Sequence, residues 1–407
     1  MPWLTRSGNL FKSRRGRTTI LRGVDWPYNE EPFEPPYNLR DADFARIASW
    51  GINLLRIRIA GYRSGYLPDH PTEPGYWSHL DRLIAGANRH GIYVMPSTVT
   101  GDTQDAVMDN QVYDRLKFIR GTSQRRFWLA FESAMFKRYR RWPGVVGFDT
   151  INEDDSYPPF IHDRFMMGPA HRDIDAALRA GDRRHIYLQE PSGWSYWGAE
   201  YWLGMMNGVD VGDPNRFFCP KWKADGDSRA DLKKKGQLAR QSKAPMFVCE
   251  YWITKTGSDG TVNSQQRAVL SAMDARLLGG VRVLYGPSDG YGTRLSDGQE
   301  APWVQEFARP YPVWAGGRIK SIRYDFARRR LVVRLDLDGH GRTEIFTSAR
   351  RTYPRGFAAS SSSGARLVWS GARVLQGRGM NWDRKTQRVL LPPGRGPVTV
   401  TIAPLIR

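Results

Sequence analysis

Over roughly the first three quarters of the chain, short apolar runs rich in β-branched and aromatic residues alternate with longer stretches of helical periodicity. This rhythm limits the fold more than any other feature, because a strand that is followed each time by a helix pairs with the next strand in parallel. Strands are expected at 20–25, 53–59, 93–96, 145–151, 186–189, 216–219, 245–249 and 281–285. Between them, Asp41 is expected to cap a helix running to Trp50, and further helices are expected at about 77–90, 124–139 and 264–278. Eight strands with intervening helices predict an α/β fold, a closed (β/α)8 TIM barrel, whose active site lies at the carboxyl ends of the strands.

From about Pro310 the pattern changes to alternating strands and turns, as in RLVVRLDLDG, TEIFTS, ARLVWSG and PVTVTIAP. This predicts a small C-terminal β-sandwich. A chain of 407 residues exceeds one ordinary core. We therefore expect a barrel over 1–309 and a β-sandwich over 310–407.

Lys and Arg number 61 against 41 Asp and Glu, a net charge of +20, which favours an anionic partner. The basic residues fall in scattered clusters (KSRRGR at 12–17, RYRR at 138–141, KKK at 233–235, RRR at 328–330) without a helix-turn-helix, zinc-finger or RNA-binding signature. Nucleic acid is therefore not expected. Solvated faces, or peripheral contact with an anionic membrane, are the readings that remain. Two cysteines, Cys219 and Cys249, exclude a disulfide framework and leave room for one bridge. The N-terminal sequence lacks an apolar run of signal-peptide length, so a cytoplasmic location is expected, or a secreted one if an upstream signal was removed.

Two glutamates stand where apolar runs end: Glu153 in FDTINEDD and Glu250 in PMFVCEYW. Cleavage of a glycosidic bond with retention needs a carboxylate nucleophile and a carboxylic acid proton donor about 5–5.5 Å apart. Residues at the mouths of the fourth and seventh barrel strands can converge to that spacing. The nucleophile must stay ionised, whereas the donor needs its pKa raised toward neutrality. Asn152 is placed to bind a sugar 2-hydroxyl, and Arg56 to hold the nucleophile anionic through charge-assisted hydrogen bonds.

The runs ILRGVD (20–25), NLLR (53–56) and GFDTINE (147–153), with the late strand reaching Glu250, resemble glycoside hydrolase family 5. The likeness is greatest to endoglycoceramidases and to fungal glucosylceramide and steryl-glucoside hydrolases. ARPYPVWAGG (308–317) and TEIFTSARRTYPRGF (343–357) are similar to the segment entering and crossing the β-sandwich of those enzymes. The resemblance implies Glu153 as acid/base, Glu250 as nucleophile, Asn152 as the sugar-binding asparagine and Arg56 as the strand-two arginine. Four places depart from the family pattern. Val99 stands where a histidine is usual, and Asp154 follows Asn152-Glu153 where proline is usual. The strand-six region reads FFCPKWK, and Leu284 and Tyr285 fall near the usual strand-eight tryptophan. Asp102 or Gln104 is a candidate to replace part of the histidine's role, and Trp222 and Tyr285 are candidates for replacement aromatic walls.

Glu190, beside Trp194 in YLQEPSGWSYW, is read either as a sugar-binding carboxylate or as a structural partner of an arginine. Trp252 either shapes a subsite or packs under a loop. The seven histidines show no metal-ligand spacing, so neither a metal nor a cofactor is expected. Together these features predict a retaining β-glycosidase with a carbohydrate or glycolipid substrate. The alternatives are an endo-acting polysaccharide hydrolase and a barrel that binds carbohydrate or lipid without cleaving it.

Overall fold

The structure is a computed structural model and describes residues 1–27, 39–60, 75–99, 119–152, 168–191, 212–223, 228–252, 261–286, 292–293 and 299–405. The chain opens with a three-stranded antiparallel unit, β1 (Leu4–Ser7), β2 (Leu10–Ser13) and β3 (Thr18–Thr19). A nine-stranded parallel sheet follows, made of β4 (Arg22–Pro27), β5 (Leu54–Ala60), β6 (Tyr93–Val99), β7 (Gly147–Asn152), β8 (Ile186–Gln189), β9 (Arg216–Phe218), β10 (Lys221–Lys223), β11 (Val248–Trp252) and β12 (Gly280–Arg282). Its order, β10-β11-β12-β4-β5-β6-β7-β8-β9, is that of a (β/α)8 barrel whose sixth strand is cut in two. Pro220, which has no N–H to give a ladder, sits at the cut. Closure still holds, because Phe218 N donates to Pro245 O (2.8 Å) and Phe247 N to Phe218 O (3.0 Å).

Helices α1 (Asp41–Ser49), α2 (Tyr76–Arg89), α3 (Ser123–Tyr139), α4 (Gly168–Gly181), α5 (Ser228–Gln241) and α6 (Thr261–Ala275) lie in the connections, followed by the short α7 (Val304–Phe307). Asp41 is the first residue of α1 rather than its cap. Arg40 takes the cap position, its N–H donating to Asp43 Oδ2 at 3.0 Å.

Strand alternation sorts side chains into two layers. In β5, Leu55, Ile57 and Ile59 pack outward with the helices, whereas Leu54 joins a cluster inside the barrel. That inner cluster collects the residues at the strand starts, among them Leu21, Tyr93, Val146, Ile186, Phe217, Phe247 and Val281, together with Leu4 and Phe11 of the β1–β2 hairpin. Phe11 stacks on Phe217 at 4.8 Å between ring centroids, and Tyr93 Oη donates to Pro2 O at 2.8 Å. The hairpin thus plugs the amino end of the barrel; burying Phe11 alone is worth about 1.5–3 kcal/mol. With that end closed, the inner layer above it becomes polar toward the carboxyl ends.

Beyond the barrel, β13 (Tyr311–Trp314), β14 (Gly317–Asp325), β15 (Arg330–Asp338), β16 (Thr343–Phe346), helix α8 (Ala349–Thr352), β17 (Phe357–Ser361), β18 (Arg366–Trp369), β19 (Val374–Arg378), β20 (Asn381–Asp383), β21 (Arg388–Leu391) and β22 (Arg395–Pro404) build two sheets, ordered β13-β16-β21-β20 and β14-β15-β22-β17-β18-β19. Their shared core contains Leu331, Val333 and Leu335 from the alternating β15 and extends to Leu10 and Ile20 of the N-terminal region.

Candidate active site

Arg56 organises the polar layer. It is fully buried, inward-facing on β5, and its guanidinium reaches five side chains. Nη1 donates to Asp25 Oδ1 (3.2 Å) and Glu250 Oε2 (3.0 Å); Nη2 donates to Asp149 Oδ2 (2.8 Å), Asn152 Oδ1 (2.6 Å) and Glu190 Oε1 (3.0 Å). Burial works against the charge of Arg56, but Asp25, Asp149, Glu190 and Glu250 outweigh it and hold the guanidinium protonated.

Glu250 is ringed by cations. Lys221 Nζ stands 2.7 Å from its Oε2, and Arg58 Nη2 lies 3.4 Å from its Oε1. Burial raises the Glu250 pKa, yet Lys221, Arg58 and Arg56 together bring it down to about 2. Lys221 also donates to Asn152 Oδ1 at 2.6 Å, so one ammonium ties the asparagine of β7 to the carboxylate of β11.

Glu190 is driven the other way. Burial and the neighbouring Asp149 carboxylate push its pKa well up, against the pull of Lys221 and Arg56. Asp149 accepts from Ser97 Oγ at 2.9 Å as well as from Arg56. Behind β8, His171 Nε2 donates to Glu190 O (2.8 Å), and its Nδ1 lies 2.5 Å from Tyr187 Oη.

Two irregularities let adjacent strands deliver this set. Pairing between β6 and β7 shifts between Ser97/Asp149 and Val99/Asn152, so Asp149 and Asn152, three residues apart, both face inward. Pairing between β11 and β12 shifts between Val248 and Tyr251, which turns both Cys249 and Glu250 inward. Gly147 permits the close approach of β7 to β8, since a Cβ there would lie 2.2 Å from Ile186 O. Cys249 is bonded to Cys219, with 5.1 Å between the Cα atoms, so a disulfide joins the break between β9 and β10, just before Lys221, to the residue before Glu250. Asp149, Glu190 and Cys249 lie close enough together to suggest a metal site. They do not fit one: the sulfur is committed to the disulfide and both carboxylates are held by Arg56.

Of the residues expected from sequence, Arg56, Asn152, Glu190 and Glu250 come together. Glu153 and Trp194 lie outside the described residues, as do Asp102, Gln104 and Asp154. Trp252 is half-buried at the end of β11. Trp222 is not at the mouth: it is 1% exposed and packs outward with helix residues, because Lys221 takes the inward position on β10. Tyr285 is likewise buried, its Oη donating to Asp43 Oδ1 (2.6 Å) and its ring packed between Trp26 and Trp50. Asp25, Arg58, Asp149 and Lys221 are the members that sequence reading missed. Arg58 and Asp149 carried a signal, since a charge at an inward position of an apolar strand must find partners.

No family model matches the sequence, and no curated protein matches it. Solved structures do match its fold. Endo-glycoceramidase II from Rhodococcus sp., as a lactosyl-enzyme intermediate, has a TM-score of 0.74 at 17% identity, covering 97% of this chain and 99% of that one. Endogalactoceramidase has 0.73 at 18% identity, over 98% and 100%. Cryptococcus neoformans sterylglucosidase 1 has 0.69 at 11% identity, over 99% and 98%. The shared fold runs the length of both chains. It is the fold of the enzymes that the sequence motifs resemble.

Proposed function

We propose that this chain is a retaining β-glycoside hydrolase acting on a glycolipid or related amphiphilic glycoside. The observation that carries the reading is Glu250, a buried carboxylate kept ionised by three cations at the carboxyl end of a barrel strand, with Asn152 linked to it through Lys221. A carboxylate with a pKa of about 2 is available as a nucleophile throughout the physiological range. In the proposed reaction Glu250 attacks the anomeric carbon while Glu153 protonates the departing aglycone oxygen. Water then attacks the glycosyl ester, Glu153 takes its proton, and Glu250 is released as carboxylate. Asn152 hydrogen-bonds the sugar 2-hydroxyl as the oxocarbenium-like transition state forms. The glycolipid preference is supported by the fold neighbours, which are an endo-glycoceramidase with a ganglioside complex, an endogalactoceramidase and a sterylglucosidase.

The test is a panel of glycosylceramides, steryl glucosides and β-glucan or mannan oligomers. Glu250→Ala should abolish turnover. A 2-deoxy-2-fluoro glycoside should leave a covalent adduct that mass spectrometry finds on the peptide containing Glu250. Glu153→Ala should keep activity only on substrates with activated leaving groups, with azide restoring the second step. Turnover by Glu250→Ala at the wild-type rate would sink the assignment, and cleavage confined to polysaccharides would select the polymer-hydrolase reading.

A further inference from the structure

We propose that the outer edge of the β-sandwich, formed by β18, β19 and the segment entering β22, is a docking face for an anionic phospholipid surface. Charge is the first argument. From Pro354 to Arg407 nine basic residues stand against one acidic residue, Asp383. Asp383 is occupied locally, accepting from Thr386 Oγ1 (2.7 Å) and from the Lys385 N–H (3.0 Å).

The arrangement of those charges is the second argument. Arg366 and Arg378 are direct partners across the β18–β19 ladder, so two guanidinium groups share one face of an exposed hairpin. Like charges directly opposite in a sheet destabilise it, and neither arginine has an ion pair among the described residues. An external anion between them relieves the repulsion. Both line a groove of about 570 Å³, together with Arg395 and with Pro392, Pro393 and Leu337 among its apolar lining. The carboxylate of Asp338, opposite Arg395 in the ladder, accepts the His340 N–H at 3.1 Å.

The exposed edge strand separates a lipid surface from a soluble polyanion. β19 pairs within its sheet only with β18, and all five of its residues are exposed. Val374 is 45% and Leu375 56% exposed, the largest values among the exposed large hydrophobic residues described. The pairing shifts from Val368–Gln376 to Trp369–Val374, so Leu375 is the extra residue of a bulge with no cross-strand partner to cover it. An exposed apolar edge beside unpaired arginines suits the boundary between headgroups and acyl chains, where guanidinium groups meet phosphate and Leu375 enters the apolar layer. A soluble polyanion needs no such edge.

The test is sedimentation with vesicles that contain no glycoside, which separates this proposal from the hydrolysis reading. Wild-type protein should bind phosphatidylcholine vesicles containing phosphatidylglycerol and not phosphatidylcholine alone, with binding weakening as salt rises. The double variant Arg366→Glu/Arg378→Glu should bind at least about tenfold more weakly. Leu375→Ser should lose binding severalfold at low salt. All three positions are exposed, and thermal melting should match wild type. Absence of wild-type binding, equal binding to neutral vesicles, or unchanged binding by the double variant overturns the proposal. Unchanged binding by Leu375→Ser overturns it in favour of a face for soluble polyanions.

Discussion

Lys221 is the residue on which the state of Glu250 most depends. Desolvation favours protonation of Glu250, and Lys221 is the largest of the three cationic influences that reverse it. The direction matters for stability. A carboxylate whose folded pKa is about 2, against 4.5 as a free side chain, contributes stability that is fully present above about pH 4.5 and is lost as pH falls toward 2. The shift corresponds to about 3 kcal/mol. Lys221→Met keeps the side-chain length and removes the charge, so the Glu250 pKa should rise. We expect the acid limb of kcat/KM against pH to move upward by at least about a unit, since each pKa unit is about 1.4 kcal/mol of lost cation interaction. Stability at neutral pH should fall by about 3–5 kcal/mol because a buried pair is broken. A variant with reduced stability and an unmoved acid limb would confine Lys221 to a structural role.

At the level of elements, the Cys219–Cys249 bond links the residue that follows β9 to β11 and closes a 30-residue stretch that contains Lys221 and α5. By the loop-closure argument its removal should cost about 3–4 kcal/mol. Cys219→Ser/Cys249→Ser should show that loss in chemical denaturation, and an unchanged midpoint would mean that packing alone holds the two strands. Counting free thiols in protein taken from its host also decides the compartment, because such a bond persists in oxidising surroundings and is reduced in the cytosol. The same strands show how far the sequence could be read. β8 falls on the expected 186–189, because an apolar run bounded by turn residues needs only local pattern. β15 shows its alternation residue by residue, with Leu331, Val333, Leu335 and Leu337 buried and the residues between them more exposed. The expected seventh strand stopped at 249, whereas β11 runs through Glu250 to Trp252. A simple alternation cannot carry both Cys249 and Glu250 on one face; the register shift that does so depends on β12, far away in sequence. Lys221 and Trp222 were hidden for a related reason. Once Pro220 breaks the strand, the inward parity restarts, and a tryptophan in a gap of the family pattern reads as a sugar wall when it is a core residue. The β1–β2 hairpin carried too few apolar residues to announce itself, since its Leu4 and Phe11 acquire their meaning from the barrel mouth they fill.

At the scale of the whole molecule, barrel and sandwich share their packing. Gly51 follows α1 with φ +77°, and a Cβ there would lie 2.4 Å from the Phe346 ring of β16. Tyr311 Oη donates to Gly51 O at 2.6 Å, and the Arg22 guanidinium of the first barrel strand sits 3.8 Å from the centre of the Tyr311 ring. Glu300 accepts from Nε1 of Trp50, the residue that caps the end of α1 (2.9 Å), and pairs with Arg351 of α8 (2.6 Å). Leu10 and Ile20, adjoining the barrel plug, belong to the sandwich core. Removing 310–407 would strip Leu10 and Ile20 of their core and leave Arg22 without its aromatic cover, so the barrel portion should not fold alone. For the intact chain we expect one calorimetric transition, with calorimetric and van't Hoff enthalpies in agreement. Two separable transitions, or a stable barrel fragment ending near Arg309, would show that the shared packing is too weak to couple the halves. Gly51→Val tests the same coupling without truncation. It forces a β-branched residue into a left-handed conformation and into the Phe346 ring, and should lower stability by at least about 3 kcal/mol through strain and overpacking together. If the halves are coupled, the melting point drops as one transition; if they are not, the loss appears in one of two.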